Sequence, residues 1–230
     1  MKSDFNIPAR PHAFPMDIEH CALLIIDMQN DFLMEDGGCP RLLGLSLADL
    51  APVRAIIPRI SRVLDWARAS GLTIIFTREA VEPDLSDLTL SKDIRYKNAG
   101  YPVGSPGPMG RLLVKGEFGT QIIEEFVPEE SDIVIDKPAQ SVFIGTNLEA
   151  LLKEKGISHL LFTGVTTQCC ILATYRQGND LGFFGLLLED CCAAFSPQEH
   201  AAAVDVIISE GGAVGWSTTS EQLITSAESC

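Results

Sequence analysis

Six short apolar runs constrain this chain more than any other feature, because they recur at wide intervals with amphipathic stretches between them. They read as strands at Ala22–Asp27, Leu72–Thr77, Asp132–Asp136, His159–Thr163, Phe183–Leu188 and Ala213–Trp216. Several are near-continuous Val, Ile, Leu and Phe, the pattern of strands covered on both faces. Helices fit between them at Val53–Ser70, Thr146–Lys155, Cys170–Leu181 and Pro197–Glu210, with a short one near Ser220–Ser226. Gly71, Gly156, Gly182 and Gly211 each follow a helical stretch, as C-terminal capping residues do. Strand–helix–strand units in this order predict an α/β fold: a doubly wound, Rossmann-like, six-stranded, mainly parallel sheet with helices on both faces.

One stretch breaks the rhythm. Ala80–Glu130 separates two strands by far more chain than a helix and its turns require, and holds a Pro/Gly-rich segment, PVGSPGPMG. Long excursions of this kind usually serve function or an interface, and this one is placed to fold over the strand ends. With 230 residues, 46% of them hydrophobic, the chain fits a single α/β domain over 21–230 behind an N-terminal arm, 1–20.

Charge and cysteine usage narrow the partners. A formal net charge of −14 repels phosphate backbones and anionic lipid, so nucleic acid and membrane surfaces are excluded as partners and small molecules favoured. The N-terminal stretch has no apolar core of a signal peptide, and no run is long enough to cross a bilayer, which predicts a cytoplasmic location. Seven cysteines, two vicinal pairs among them, suit free thiols in a reducing compartment. Neither GxGxxG after the first strand nor GxxxxGK[ST] occurs, so nucleotide cofactor binding is unsupported.

The chemistry gathers at strand ends, where open parallel sheets bind ligands. Asp27 ends ALLIID, Lys137 follows DIVID, and Cys170 closes GVTTQCC between a strand and a helix. A thiol at the first turn of a helix meets unpaired N–H groups and the positive end of the dipole, which favour thiolate. A carboxylate, an ammonium group and a thiol in one pocket suit covalent catalysis at a carbonyl carbon. The non-enzymatic alternative, a thiol redox sensor using Cys169 and Cys170, lacks the CxxC spacing of redox helices.

Together, DMQNDF after the first strand, Lys137 after the third and TGVTTQCC before a helix resemble the isochorismatase-like cysteine hydrolases, over about Ala22 to Trp216. That superfamily includes nicotinamidases, N-carbamoylsarcosine and ureidoacrylate amidohydrolases, and biuret hydrolases. The resemblance implies a catalytic triad of Asp27, Lys137 and Cys170, an oxyanion hole from the backbone N–H groups of Thr166 and Cys170, and a cis peptide between Val165 and Thr166. It also implies a dimer or tetramer. The metal of nicotinamidases sits on an Asp-x-His cluster after the first strand; here none of the four histidines falls between Cys21 and Ser158, so no metal or other cofactor is expected.

What remains is the metal-free branch acting on ureido groups. TREAVEPDLSDLTLSK, GSPGPMGRLL and KGEFG look most like biuret hydrolases, which release ammonia from small ureides. The expected activity is therefore cysteine-dependent cleavage of a C–N bond in biuret or triuret through a thioester. The alternative is an amidohydrolase of the ureidoacrylate or N-carbamoylsarcosine type. A planar ligand of amide donors and acceptors needs polar side chains and an aromatic wall, and Gln29, Asn30, Phe32, Arg78, Glu79, Phe143 and Gln198 are the candidates.

Overall fold

The computed structural model describes residues 4–229. Its centre is a wholly parallel six-stranded sheet of β1 (Cys21–Ile26), β2 (Thr73–Glu79), β3 (Ile133–Lys137), β4 (His159–Val165), β5 (Phe184–Ala193) and β6 (Trp216–Thr218). The spatial order is β3-β2-β1-β4-β5-β6. The chain builds outward from β1 in one direction, then restarts on its other side, so the order reverses between β1 and β4. Ligands of doubly wound sheets bind in the crevice at that reversal.

The α-helices of seven or more residues are α1 (Leu47–Arg54), α2 (Ile57–Ala69), α3 (Leu90–Asn98), α4 (Leu148–Glu154), α5 (Leu172–Asp180), α6 (Pro197–Ile207) and α7 (Ser220–Glu228). Side chains alternate across a strand, and β1 feeds both faces of the sheet. Cys21, Leu23 and Ile25 pack with α1, α2 and α7 residues such as Leu50, Ile60 and Leu223; Ala22, Leu24 and Ile26 pack with Leu148, Tyr175 and Ile207 of α4, α5 and α6. Every residue of β1 is buried, which is why its sequence shows no polar alternation.

Three element boundaries differ from the sequence reading. The expected helix Val53–Ser70 is two helices: α1 ends at Arg54, and Pro58, which cannot donate a helical N–H, sits in the first turn of α2. β5 runs on to Ala193 through Glu189 and Asp190, whose charges look like a strand end. Their partners explain it, because Glu189 pairs with Arg10 and accepts from Ser217, while Asp190 accepts from the backbone and hydroxyl of Ser220 at the start of α7. β6 begins at Trp216, where the expected strand ended. Val214 and Gly215 instead pass over α5, with the Tyr175 hydroxyl accepting from the Trp216 N–H at 2.8 Å; a Cβ on Gly215 would lie 2.1 Å from that hydroxyl.

The N-terminal segment is a hairpin, Asp4–Ile7 against Phe14–Asp17, and its Ile7, Phe14 and Met16 are buried in the first of the two cores. The Ala80–Glu130 excursion contains α3, a helix beyond those the sequence predicts, and a small ribbon pairing Pro106–Gly107 with Gly110–Arg111. Thr89 caps α3 by accepting from the Lys92 N–H. The excursion has its own apolar cluster around Val81, Tyr96, Val103 and Leu112 to Val114. Among the described residues, no helix is long and apolar enough to cross a membrane.

Candidate active site

Four strand ends meet at the reversal point. Directly after β1 comes Asp27, whose φ of 53° is a left-handed conformation that Asp tolerates better than most residues. Thr77 on β2 fixes it from the side: the Asp27 N–H donates to the Thr77 carbonyl, and the Thr77 hydroxyl donates to Asp27 Oδ1 at 2.6 Å. β3 ends at Lys137, fully buried, with Nζ 2.8 Å from Asp27 Oδ2. The same Nζ donates to the Ala139 carbonyl at 2.9 Å and lies 3.4 Å from Cys170 Sγ.

β4 brings the thiol. Gly164 faces β1 so closely that a Cβ there would sit 2.1 Å from the Ile26 carbonyl oxygen, and its φ is 113°. The peptide between Val165 and Thr166 is cis. A π-helical turn, Thr167–Ile171, then carries Cys170 before α5 begins. The expected helix Cys170–Leu181 therefore starts as a π turn, a form that recurs at functional sites.

The fourth strand end carries Glu79, a candidate ligand contact on its sequence position alone. Glu79, at the end of β2, is 1% exposed, and its Oε2 lies 3.2 Å from Cys170 Sγ and 3.4 Å from Lys137 Nζ. Its Oε1 takes Lys92 Nζ at 2.7 Å and the Tyr96 hydroxyl at 2.6 Å, both from α3. Lys92 in turn donates to the Pro138 carbonyl at 2.6 Å. Two buried lysines thus face two buried carboxylates.

Electrostatics divides the carboxylates. Burial alone disfavours charge on either. At Glu79 the two lysines, with hydrogen bonds from Lys92 and Tyr96, overcome it and hold the carboxyl at about 2. At Asp27 burial wins, with help from the nearby Glu79 charge and against Lys137, so its pKa is raised. Burial also pushes the Cys170 thiol well above its usual range, with Lys137 opposing and both carboxylates adding to the rise. The sequence reading that a helix start favours thiolate is corrected here: burial, with the two carboxylates beside it, pushes this thiol up rather than down. Burial disfavours the Lys137 ammonium, but Asp27 and Glu79 outweigh it and its pKa is raised.

A cavity of about 330 Å³ reaches Cys170. Phe32, Leu43 and Phe195 form apolar wall; Glu79, Tyr96, Tyr101, Gln140, Gln168 and Glu199 supply polar groups; Cys39, Thr166 and Cys169 complete the lining. Of the seven expected ligand contacts, Phe32 and Glu79 line it. Gln29 is a fully buried tie, holding both backbone groups of Glu79 and the Thr120 carbonyl. Asn30 donates to the Phe118 carbonyl on the side of a different depression. Arg78 pairs with Asp136 across β2 and β3. Phe143 stacks on Phe183 in the second core. Gln198 is exposed and accepts from Ser196, while the cavity takes its neighbours Phe195 and Glu199.

Lys92, Tyr96, Tyr101 and Gln140 were missed. Lys92 and Tyr96 are four apart behind a Thr cap, a spacing that puts them on one helical face and was available in the sequence. Among the described residues, Asp27, Glu79 and Cys170 are the one group whose ligand atoms, all within 4.8 Å of one another, would suit a metal. The Lys137 ammonium already stands against all three, so the cation of this site is a side chain.

The geometry can be set beside known proteins. The chain is 35% identical over 208 residues to ureidoacrylate amidohydrolase RutB of Enterobacter sp. (strain 638), covering 84% of each. A crystal structure of a cysteine hydrolase from Pseudomonas syringae pv. phaseolicola 1448A superposes with a TM-score of 0.77 at 23% identity, covering 99% of both chains. N-carbamoylsarcosine amidase from Thermoplasma acidophilum gives 0.64 at 22% identity, over 87% of this chain and 96% of that one. These two establish the shared fold. The isochorismatase domain family matches residues 21–222, and with the whole six-stranded sheet inside that match the chain belongs to that family.

Proposed function

We propose that the protein is a cysteine-dependent amidohydrolase that cleaves a C–N bond of a small, uncharged ureide, biuret or triuret, and releases ammonia. The observation that carries this reading is the character of the cavity wall. Glu79 and Glu199 line it, Gln168 Oε1 is a buried acceptor without a partner, and among the described residues no Arg, Lys or His contributes to the lining. Such a wall suits a ligand rich in N–H donors and free of negative charge, because a buried acceptor left unpaired costs about 1–3 kcal/mol.

The chemistry follows from the division of the two carboxylates. As Cys170 Sγ attacks the carbonyl carbon, its proton passes to Asp27, whose raised pKa makes it the better base of the pair. Lys137 stabilises the thiolate as it forms. The oxyanion takes hydrogen bonds from the Thr166 and Cys170 backbone N–H groups, each worth about 3–4 kcal/mol in such holes. Collapse breaks the C–N bond while Asp27 returns the proton to the departing nitrogen, which leaves as ammonia. Water then adds to the S-acyl carbon, Asp27 takes its proton, the C–S bond breaks and Cys170 recovers its hydrogen. No step draws on a cofactor.

A second reading has a specific observation behind it. The relative at 35% identity is a ureidoacrylate amidohydrolase, and a ureidoacrylate-type substrate needs the same triad. Its carboxylate, however, would meet Glu79 and Glu199 with no lining cation to pair it. An ammonia-release panel of biuret, triuret, ureidoacrylate, N-carbamoylsarcosine, nicotinamide and maleamate, with and without EDTA, separates the two. The expected result is fastest turnover of biuret or triuret, insensitivity to EDTA, and a loss of about 10⁴-fold or more in Cys170→Ala. Fastest turnover of ureidoacrylate overturns the neutral-ureide reading, and full activity in Cys170→Ala overturns the cysteine.

A further inference from the structure

Cys170 Sγ has two carboxylates close to it. Asp27 from β1 and Glu79 from β2 flank it, with all three ligand atoms within 4.8 Å of one another. One carboxylate suffices to take the thiol proton and hand it to a leaving amine, so the second calls for a reason. The carbon of a plain carboxamide bears one nitrogen, whereas the carbon of a ureido group bears two. With such a carbon over Sγ and its leaving nitrogen toward Asp27, the other substituent falls on the Glu79 side.

We propose that Glu79 determines specificity by accepting a hydrogen bond from the second nitrogen of the ureido group, and that Lys92 and Tyr96 are positioning residues that aim it. The proposal rests on the reading of the protein as a ureide hydrolase and adds the group that distinguishes a ureide from an ordinary amide.

The arrangement around Glu79 is built for such a task. Oε1 is saturated by Lys92 at 2.7 Å and Tyr96 at 2.6 Å, so the carboxylate plane is pinned and Oε2 is the oxygen left beside the thiol and Lys137, in a residue that lines the cavity. Lys92 is pinned as well, by the Pro138 carbonyl, in the turn immediately after Lys137. Behind these contacts, Gln29 holds the Glu79 backbone from both sides. The lysines keep the carboxyl ionised through the working range, so it accepts and never donates. An ionised acceptor at this place rewards an N–H and gains nothing from a methylene.

The test compares biuret with malonamide, which differs in having a methylene where biuret has its central N–H. The read-out is the ratio of kcat/KM on the two substrates, so intrinsic reactivity cancels between variants. Glu79→Gln combined with Lys92→Met replaces both charges by near-isosteric neutral groups. In that variant the ratio should fall by about 10- to 100-fold, as expected for loss of a hydrogen bond to a charged group, chiefly through biuret. Tyr96→Phe removes one hydroxyl and leaves the charges, so it serves if the double variant does not fold; its ratio should fall by about 3- to 10-fold. An unchanged ratio, or parallel loss on both substrates, in a variant that folds overturns the proposal.

The underlying functional reading fails in a different way. If the wild-type enzyme ignores biuret and triuret but cleaves ureidoacrylate, the neutral substrate is wrong. Glu79 is then measured on ureidoacrylate against maleamate, its analogue without the ureido nitrogen. A falling ratio there upholds the role of Glu79, and a constant one ends it. A wild-type enzyme that cleaves no ureide at all overturns both.

Discussion

The two sides of the candidate site are held by different means. Asp27, Lys137 and Cys170 stand at the ends of β1, β3 and β4, so their separation is set by hydrogen-bonded strands and by cores on both faces of the sheet. Lys92, Tyr96 and Tyr101 hang on the Ala80–Glu130 excursion, whose own apolar cluster is far smaller. That excursion is tied to the strand ends by polar contacts: Lys92 and Tyr96 on Glu79, Lys92 on Pro138, and Gln29 bridging Glu79 to Thr120. The difference teaches that, on the proposed reading, the reacting groups stand on the large two-faced core of the sheet, while the ligand-facing groups are held by a small cluster and a few polar ties. Glu79 belongs to both sides, rooted in the sheet and oriented by the excursion.

The comparison breaks most visibly at Gly164. Its Cβ would collide with the Ile26 carbonyl, and its φ of 113° is poorly open to other residues. Gly164→Ala should therefore cost more than about 4 kcal/mol, measured as the shift in urea midpoint multiplied by the m-value. A cost below about 1 kcal/mol would mean that the β1–β4 seam is softer than the excursion it supports.

A second measurement sharpens the contrast through pH. Glu79 has a carboxyl pKa lowered from 4.5 to about 2, so its charged form stabilises the fold. With a depressed pKa that contribution is complete above about 4.5 and disappears as pH falls toward about 2. Asp27, with a raised pKa, has the opposite sign and gains relative stability on acidification. The stability difference between wild type and Glu79→Gln should accordingly be largest at neutral pH and shrink across the window from about 4.5 to 2 in urea titrations. A difference independent of pH would remove Glu79 from the charge network.

The smallest effects fall on residues outside the cavity. Gln198→Ala and Arg78→Ala should leave kcat/KM within about twofold and stability within about 1 kcal/mol, since Gln198 is exposed and the Arg78–Asp136 pair is partly solvated. A tenfold loss of activity in either would show that the cavity wall extends beyond the residues that line it here.

Much of this was legible before any coordinates. A near-continuous apolar run such as ALLII has one comfortable environment, the middle of a sheet covered on both faces, and six runs at helical spacing leave little but a doubly wound sheet. Strand ends then carry the chemistry, which is how Asp27, Lys137 and Cys170 could be picked out together. The candidate ligand contacts were far less legible. Gln29, Arg78 and Phe143 are residue types that bind planar amides, yet each is consumed by a structural partner: the Glu79 backbone, Asp136 and Phe183. Nothing in their local sequence distinguishes a side chain that is occupied from one that is available.

The sequence by itself determined the layers, the parallel strands and the rim where the reactive groups lie, because periodicity and burial are properties of neighbouring residues. Only the tertiary structure decided how those groups behave. That the Asp27 carboxyl and the Cys170 thiol are pushed up, that the Glu79 carboxyl is held down, and that Glu79 is clamped by Lys92 all depend on desolvation and on charges brought together from segments distant in the chain, and no local pattern records such distances.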